Sequence, residues 1–318
     1  MGRFKINEVD KVEILTLVDN YIDLLSGDNS EIVSRVVPIK DMQLVTSILA
    51  DHGFSALVKC TTKDKTRTMI FDFGFSMDVV ARNADALNVD LTEVEAAALS
   101  HGHIDHFGGL DEVATKIGKS GLELVVHPAV FRANRYVKPY PDLKIGMPSP
   151  EKEKIEEAGF RIVQTKEPYS LLDGDVLFLG EIPRRTSFEK GMPMAFYEEN
   201  GQEIWDPIED DTAQVMNLRG KGLIILSGCA HSGIINEVEY ARELTGIDKV
   251  HVVMGGFHLT GSTFEPIIDD TVKAMNNIAP DYVVPTHCTG RKAILAFEKA
   301  MPGQFILNMS GTRLTFTA

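Results

Sequence analysis

The sequence predicts a mixed α/β fold, and three observations carry that prediction. Short apolar, β-branched runs recur along the 318 residues, each bounded by Gly, Pro, Asp or Asn, as strands usually are. Several runs are apolar on both faces, the mark of central strands covered on both sides. Helical periodicity concentrates in the last third, so strand–helix alternation follows a strand-led first part.

Taken in order, residues 13–20, 55–60, 68–73, 94–100, 122–127, 161–165 and 176–180 read as strands. Residues 222–228, 249–256, 282–287, 305–310 and 313–317 continue the series. Residues 234–244, 267–278 and 291–300 have apolar positions at three- and four-residue spacing and read as helices, the last stopped by Pro302 and Gly303. The stretch 136–150 has little periodicity and carries Pro139, Pro141, Pro148 and Pro150, so it reads as a long loop, either a lid or a solvated connector. Residues 184–211 read as a second such loop, which holds the only tryptophan, Trp205.

Composition excludes several function classes. Lys plus Arg is 32 against 46 for Asp plus Glu, a net charge of −14. Such a surface repels phosphate backbones, so no nucleic-acid partner is expected, although a local basic patch can still bind a small anion. With 44% hydrophobic residues, a chain of this size can bury a core without metal or disulfide staples. A bound metal is therefore expected to serve chemistry. Cys60, Cys229 and Cys288 are odd in number and lack CxxC spacing, which argues against a disulfide framework and a zinc knuckle. The first ten residues contain no apolar run that could act as a signal peptide, and Ile6 breaks the myristoylation pattern. No run approaches the ~20 apolar residues of a membrane span. The expectation is a soluble cytoplasmic protein without a membrane partner.

The densest chemical signal is Ser100-His101-Gly102-His103-Ile104-Asp105-His106, followed by Phe107-Gly108-Gly109. In an extended backbone alternate side chains share a face, so His101 and His103 point the same way. The chain must then turn, which brings Asp105 and His106 round to the same cavity, and Gly108 and Gly109 permit that turn before the next helix. Imidazole and carboxylate suit zinc, iron or manganese. Two adjacent ions can be held, one by His101 and His103, the other by Asp105 and His106.

This HxHxDH pattern after a strand resembles the signature of the metallo-β-lactamase superfamily. The lead-in segments Asp51-His52-Gly53-Phe54-Ser55 and Ile70-Phe71-Asp72-Phe73-Gly74 agree, although Phe73 stands where many members have Thr. Four further segments resemble the branch that includes the methanopterin-type dihydropteroate synthases: 180–184, 227–236, 255–259 and 285–290. The resemblance implies a four-layer αββα sandwich, here one domain over 1–318, with a mononuclear or binuclear divalent-metal site. Zinc is the first expectation for the ion, with iron or manganese as alternatives.

His231, His258 and His287 each fall at the carboxyl end of an expected strand, where ligands of α/β sheets gather. His231 is assigned as the third partner of the first ion and His287 of the second. His258 is either a ligand or a polar group facing substrate. There is a departure: no His occurs in 181–188, and Cys229 appears in place of the usual bridging Asp. Cys229 is read either as a bridging thiolate or as a buried neutral thiol. Asp105 is expected to orient water or accept a proton besides acting as a ligand. Arg184 is expected to contact an anionic small-molecule substrate. His127 and His251 read as structural, His52 can approach the site through its loop, and the role of Asp210-Asp211 stays open.

The leading function is a metal-dependent hydrolase or transferase acting on a pterin or another phosphorylated small molecule. The alternatives are a di-iron oxidoreductase on the same fold and a non-catalytic binding module with a degraded site. Oligomeric state is not legible.

Overall fold

The computed structural model describes residues 4–44 and 46–318, so Met1, Gly2 and Arg3 of the amino-terminal reading lie outside it. Two large sheets form its centre. The first holds β2 (Lys11–Val18), β3 (Val33–Arg35), β6 (Ser55–Thr62), β7 (Lys65–Phe71), β8 (Ala96–Ala98), β9 (Leu122–Val126), β12 (Phe160–Gln164) and β21 (Thr312–Thr317). Their order is β12-β9-β8-β7-β6-β2-β21-β3. The second sheet runs β13 (Tyr169–Leu171), β14 (Val176–Phe178), β17 (Ala213–Leu218), β18 (Gly222–Ser227), β19 (Val250–Gly256), β20 (Tyr282–Thr286). The short β1 (Glu8–Val9) lies beside β17. Each sheet thus takes a strand from the other end of the chain: β1 joins the second and β21 the first.

Period-2 patterning sends alternate side chains of each strand to opposite faces. Inward residues such as Ile14, Val58, Phe71 and Ala98 of the first sheet meet Met216, Ile224, Val252 and Val284 of the second in one buried cluster. The outer face of the first sheet is covered by α1 (Val79–Ala86), α3 (Leu110–Ile117) and α4 (Lys152–Glu157), through Val80, Val113 and Ile155. The outer face of the second is covered by α5 (Ile234–Thr245), α6 (Ile268–Ile278) and α7 (Arg291–Ala300), through Val238, Met275 and Phe297. The layers run helix, sheet, sheet, helix, as the resemblance implied. The single turn α2 (Ile104–Phe107) sits at the sheet ends. Among the described residues, no helix is long and apolar enough to cross a membrane.

Several expectations need correction. The stretch 136–150 is no loop but most of a hairpin, β10 (Arg135–Tyr140) and β11 (Leu143–Met147). Its pairing shifts register between Val137 and Tyr140, which is where Pro139 can sit without breaking a ladder bond. Residues 184–211 likewise contain β15 (Ala195–Glu199) and β16 (Gln202–Trp205), and the four strands form one sheet in the order β11-β10-β15-β16. The small hairpin β4 (Ile39–Lys40) and β5 (Gln43–Leu44) stands apart. Residues 305–310 form no strand: Phe305 makes an isolated bridge to Val283, and Asn308 bonds the side chains of Thr16 and Asp19.

The inter-sheet core sets most of the stability. Phe178→Ala empties a fully buried position in that core and is expected to cost about 3–5 kcal/mol. Leu143→Ala, 44% exposed on β11, should stay within about 0.5 kcal/mol. Chemical-denaturation midpoints of both variants check this pair.

Candidate metal centre

The carboxyl ends of the parallel strands β7 and β8 face those of β18, β19 and β20, and the candidate residues stand on the loops leaving them. Backbone conformation makes this convergence. Four non-glycine residues at these ends adopt left-handed torsions: Asp72 (φ 60°), Ala230 (φ 48°), His258 (φ 47°) and His287 (φ 47°). That region is unfavourable for ordinary side chains and is held only where the surroundings demand it. Here it turns each strand end inward at once.

The imidazoles form a continuous cluster. The His101 ring lies 4.5 Å from His103, 4.3 Å from His106 and 4.9 Å from His231. His103 is 4.8 Å from His231, His231 is 4.2 Å from His258, and His106 is 5.0 Å from His287. Donor atoms of His101, Cys229 and His231 lie within 4.8 Å of one another, as do those of His106, Cys229 and His287. A third set with the same spacing is Cys229, His258 and Cys288. Asp105 Oδ2 is 3.3 Å from His287 Nε2 and 3.8 Å from His106 Nε2, which puts it beside the second set.

Each of three histidines is oriented through Nδ1. His106 Nδ1 lies 2.6 Å from Asp72 Oδ2, His101 Nδ1 lies 2.9 Å from Ser100 Oγ, and His287 Nδ1 lies 3.2 Å from Asn20 Oδ1. Such partners fix the tautomer and the ring orientation. Among the described residues, Nε2 of His101, His106, His231 and His287 is buried with no hydrogen-bond partner. Unpaired buried polar atoms are costly, and four together on residue types that ligate metals fit a divalent ion.

Electrostatics differs between the two sets. Burial, with His106 and His103 close by, holds His101 well below its ordinary range, and burial does the same for His231. Burial lowers His103 to about 4. These rings are neutral near pH 7, the form that binds metal. Burial also opposes charge on His106, yet Asp72 and Asp105 raise it to about 9. Burial works to raise the Asp105 carboxyl, but His106 and His287 hold it well below the usual carboxylate range.

A second ring of residues, unassigned from sequence, holds the loops. Asp72 accepts from Ser100 N at 2.7 Å and Ser100 Oγ at 2.7 Å as well as facing His106. Asp19 accepts from His287 N at 2.8 Å and Asn308 Nδ2 at 2.7 Å. The open question of Asp210-Asp211 is answered by their contacts. Asp210 accepts from Gly102 N at 2.8 Å, between His101 and His103, and forms a two-point pair with buried Arg135. Asp211 accepts from Ser232 N and Oγ, next to His231. The signal for Asp72 and Asp19 was present: each is an acidic residue closing an apolar strand. Arg135 gave none, because its partner Asp210 is 75 positions away.

Arg184, expected at the anion, donates to the carbonyls of His231, at 3.0 Å, and Pro207. Its guanidinium positions the His231 loop. His52 does approach the centre, with its ring 5.2 Å from His287 and Nε2 3.9 Å from Asp105. His127 accepts from Ala129 N, and His251 lies 2.6 Å from Asp281. Next to His231 and His258 opens a cavity of about 680 Å³ walled by Phe188, Trp205, Phe257 and Phe264, with Lys190 and Asp270 among its polar residues.

Comparison with known proteins agrees with this geometry. A family profile described as "Metallo-beta-lactamase superfamily" matches residues 50–244. A curated relative from Methanocaldococcus jannaschii, 7,8-dihydropterin-6-methyl-4-(beta-D-ribofuranosyl)-aminobenzene-5'-phosphate synthase, is 32% identical over 94% of this chain and 95% of its own length. Among solved structures, Tm1679, a metal-dependent hydrolase of the beta-lactamase superfamily, superposes with TM-score 0.74 at 25% identity, covering 96% of this chain and 100% of that one. YhfI from Bacillus subtilis, a metallo-beta-lactamase fold protein, gives TM-score 0.51 at 10% identity, covering 96% of this chain and 100% of that one. With strand-end histidines facing each other across a double sheet, and with a family match over more than half its length, this chain belongs to the metallo-β-lactamase superfamily.

Proposed function

We propose that this chain is a divalent-metal-dependent transferase that couples a dihydropterin carrying a 6-methyl diphosphate to a ribosylated aminobenzene phosphate. The observation that carries the reading is the group of four buried, unpartnered imidazole nitrogens opening beside an aromatic-walled cavity. The 32% identity to the synthase over 94% of the chain supports this chemistry. A hydrolase reading is kept as second, because the superposition with the metal-dependent hydrolase is close.

His101 and His231 would hold one ion and His106 and His287 the other, with Cys229 in reach of both sets; His103, beside His231, and Asp105, beside His287, would complete them. A divalent ion bound there supplies positive charge against a diphosphate leaving group. Asp105, ionised and at the edge of the cluster, accepts the proton that the arylamine loses on bonding to carbon. Trp205 and Phe264 give flat apolar walls for planar rings. Lys190 is the cavity's cation for the phosphate on the second substrate. In this reading Arg184 supports the His231 loop and does not touch substrate.

Four outcomes are expected. First, purified protein contains a divalent metal, with zinc expected, and His231→Ala loses a large share of it by elemental analysis. Full metal retention in that variant sinks the ligand assignment. Second, Asp72→Asn weakens metal affinity by about 10–100-fold through loss of the His106 orienting bond, measured by competition with a chromogenic chelator. Third, the metal-loaded enzyme forms a coupled product by mass spectrometry and releases diphosphate only when the arylamine is present. Release without amine identifies a hydrolase, and no turnover of either kind overturns the reading. Trp205→Ala should raise KM about threefold to tenfold, the size of one aromatic contact.

A further inference from the structure

The two cysteines of the centre meet across a strand. Cys229 follows β18 and Cys288 follows β20, and β19 lies between these two strands in the sheet. Their Sγ atoms nevertheless stand 2.9 Å apart, and Cys229 Sγ is 3.3 Å from His258 Nδ1. The meeting depends on Gly256, the last residue of β19. A Cβ there would lie 2.6 Å from Cys288 Sγ and 3.2 Å from Cys229 Cα. The left-handed torsion at His287 turns the chain so that consecutive residues, His287 and Cys288, both reach the cluster. In a strand they would point to opposite faces.

The surroundings do not suit a pair of thiols packed as small apolar groups. Both are at least 95% buried, yet they abut His258, and Cys229 shares its donor position with His231 and His287. Cys229 belongs to all three donor sets and Cys288 only to the third. We propose that Cys229, His258 and Cys288 form a thiolate-containing site for a soft divalent cation of the zinc type, contiguous with the imidazole sets. The proposal rests on the reading that the centre holds metal, and adds a sulfur-donor subsite that the histidine pattern does not predict. Its chemical consequence is selectivity: thiolate donors favour zinc, cobalt or cadmium, whereas manganese and magnesium prefer oxygen.

The test is cobalt(II) titration of the reduced, metal-free full chain, followed by absorption spectroscopy. Binding gives visible d–d bands, and thiolate ligation adds a sulfur-to-cobalt charge-transfer band in the near ultraviolet. The wild type should show both. Cys288→Ser should lose about half of the charge-transfer intensity, one of two thiolates, and Cys229→Ser with Cys288→Ser should lose all of it while keeping d–d bands. Retained d–d bands in the double variant also show that the fold and the imidazole sets survive. Visible bands with no charge transfer in the wild type, or charge transfer unchanged in Cys288→Ser, overturn the sulfur site while leaving the imidazole metal reading intact. No cobalt bands of any kind, together with no metal by elemental analysis, overturn both. Thiol titration of the freshly purified, denatured chain should find all three cysteines free. A deficit of two thiols with a mass lower by two hydrogens shows a disulfide in this position and overturns the ligand pair.

Discussion

The Asp72 carboxylate is the anchor on which the centre hangs. It is fully buried at the end of β7, and it grips the backbone and hydroxyl of Ser100 and the ring of His106 together. Through Ser100 it reaches His101, so both ends of the HxHxDH segment are fixed by one side chain. The opposite sheet is tied to the same point. A side chain on Gly228 would collide with the Ser100 hydroxyl and stand 2.9 Å from Asp72 Oδ2, so the β18 loop can close on the anchor only as glycine. Removing one partner from a buried charged network of this kind costs about 3–5 kcal/mol. That is a large share of the net stability of a domain.

Around this anchor the centre is built from pairs that each do one mechanical task. Arg135 and Asp210 hold the peptide between His101 and His103, Asp19 and Asn20 hold His287, and Asp211 with Arg184 holds the segment that carries His231. The imidazoles are therefore placed before any ion arrives, and the ordering entropy of a ligand shell is met during folding. The same arrangement would let an acidic protein, at −14 overall, take the anionic substrate proposed for it. The attraction would be local, made by ions in the histidine cluster and by Lys190, and the net charge governs only the long-range field.

Much of this was legible in the sequence, for identifiable reasons. His101, His103, Asp105 and His106 lie within one strand-to-helix turn, so local geometry alone brings them together. His231, His258 and His287 were legible because each closes an apolar run, and parallel strands deliver their ends to one side. What stayed hidden depended on contacts between distant segments. Arg135 directly precedes the stretch whose prolines suggested a loop, and only the fold shows it buried against Asp206 and Asp210. Arg184 read only as an anion contact, because no local pattern reveals that two backbone carbonyls accept from its guanidinium. Cys288 directly follows His287 but gave no signal as a donor, since nothing in a sequence shows that a glycine one strand away leaves room for two sulfurs to touch. The helices α1 and α4, of eight and six residues, were too short for periodicity to reveal.

The left-handed strand ends have one further consequence. Asp72, Ala230, His258 and His287 each hold a torsion that costs on the order of 1–3 kcal/mol without glycine. Relief is available by mutation: glycine at position 230 removes the strain on its loop and stabilises the fold. It also frees the peptide that spaces Cys229 from His231, and the distance between those donors is then no longer set by the chain. The protein is therefore less stable than its architecture allows, and the deficit is located in the torsion angles that keep its ligand spacing rigid.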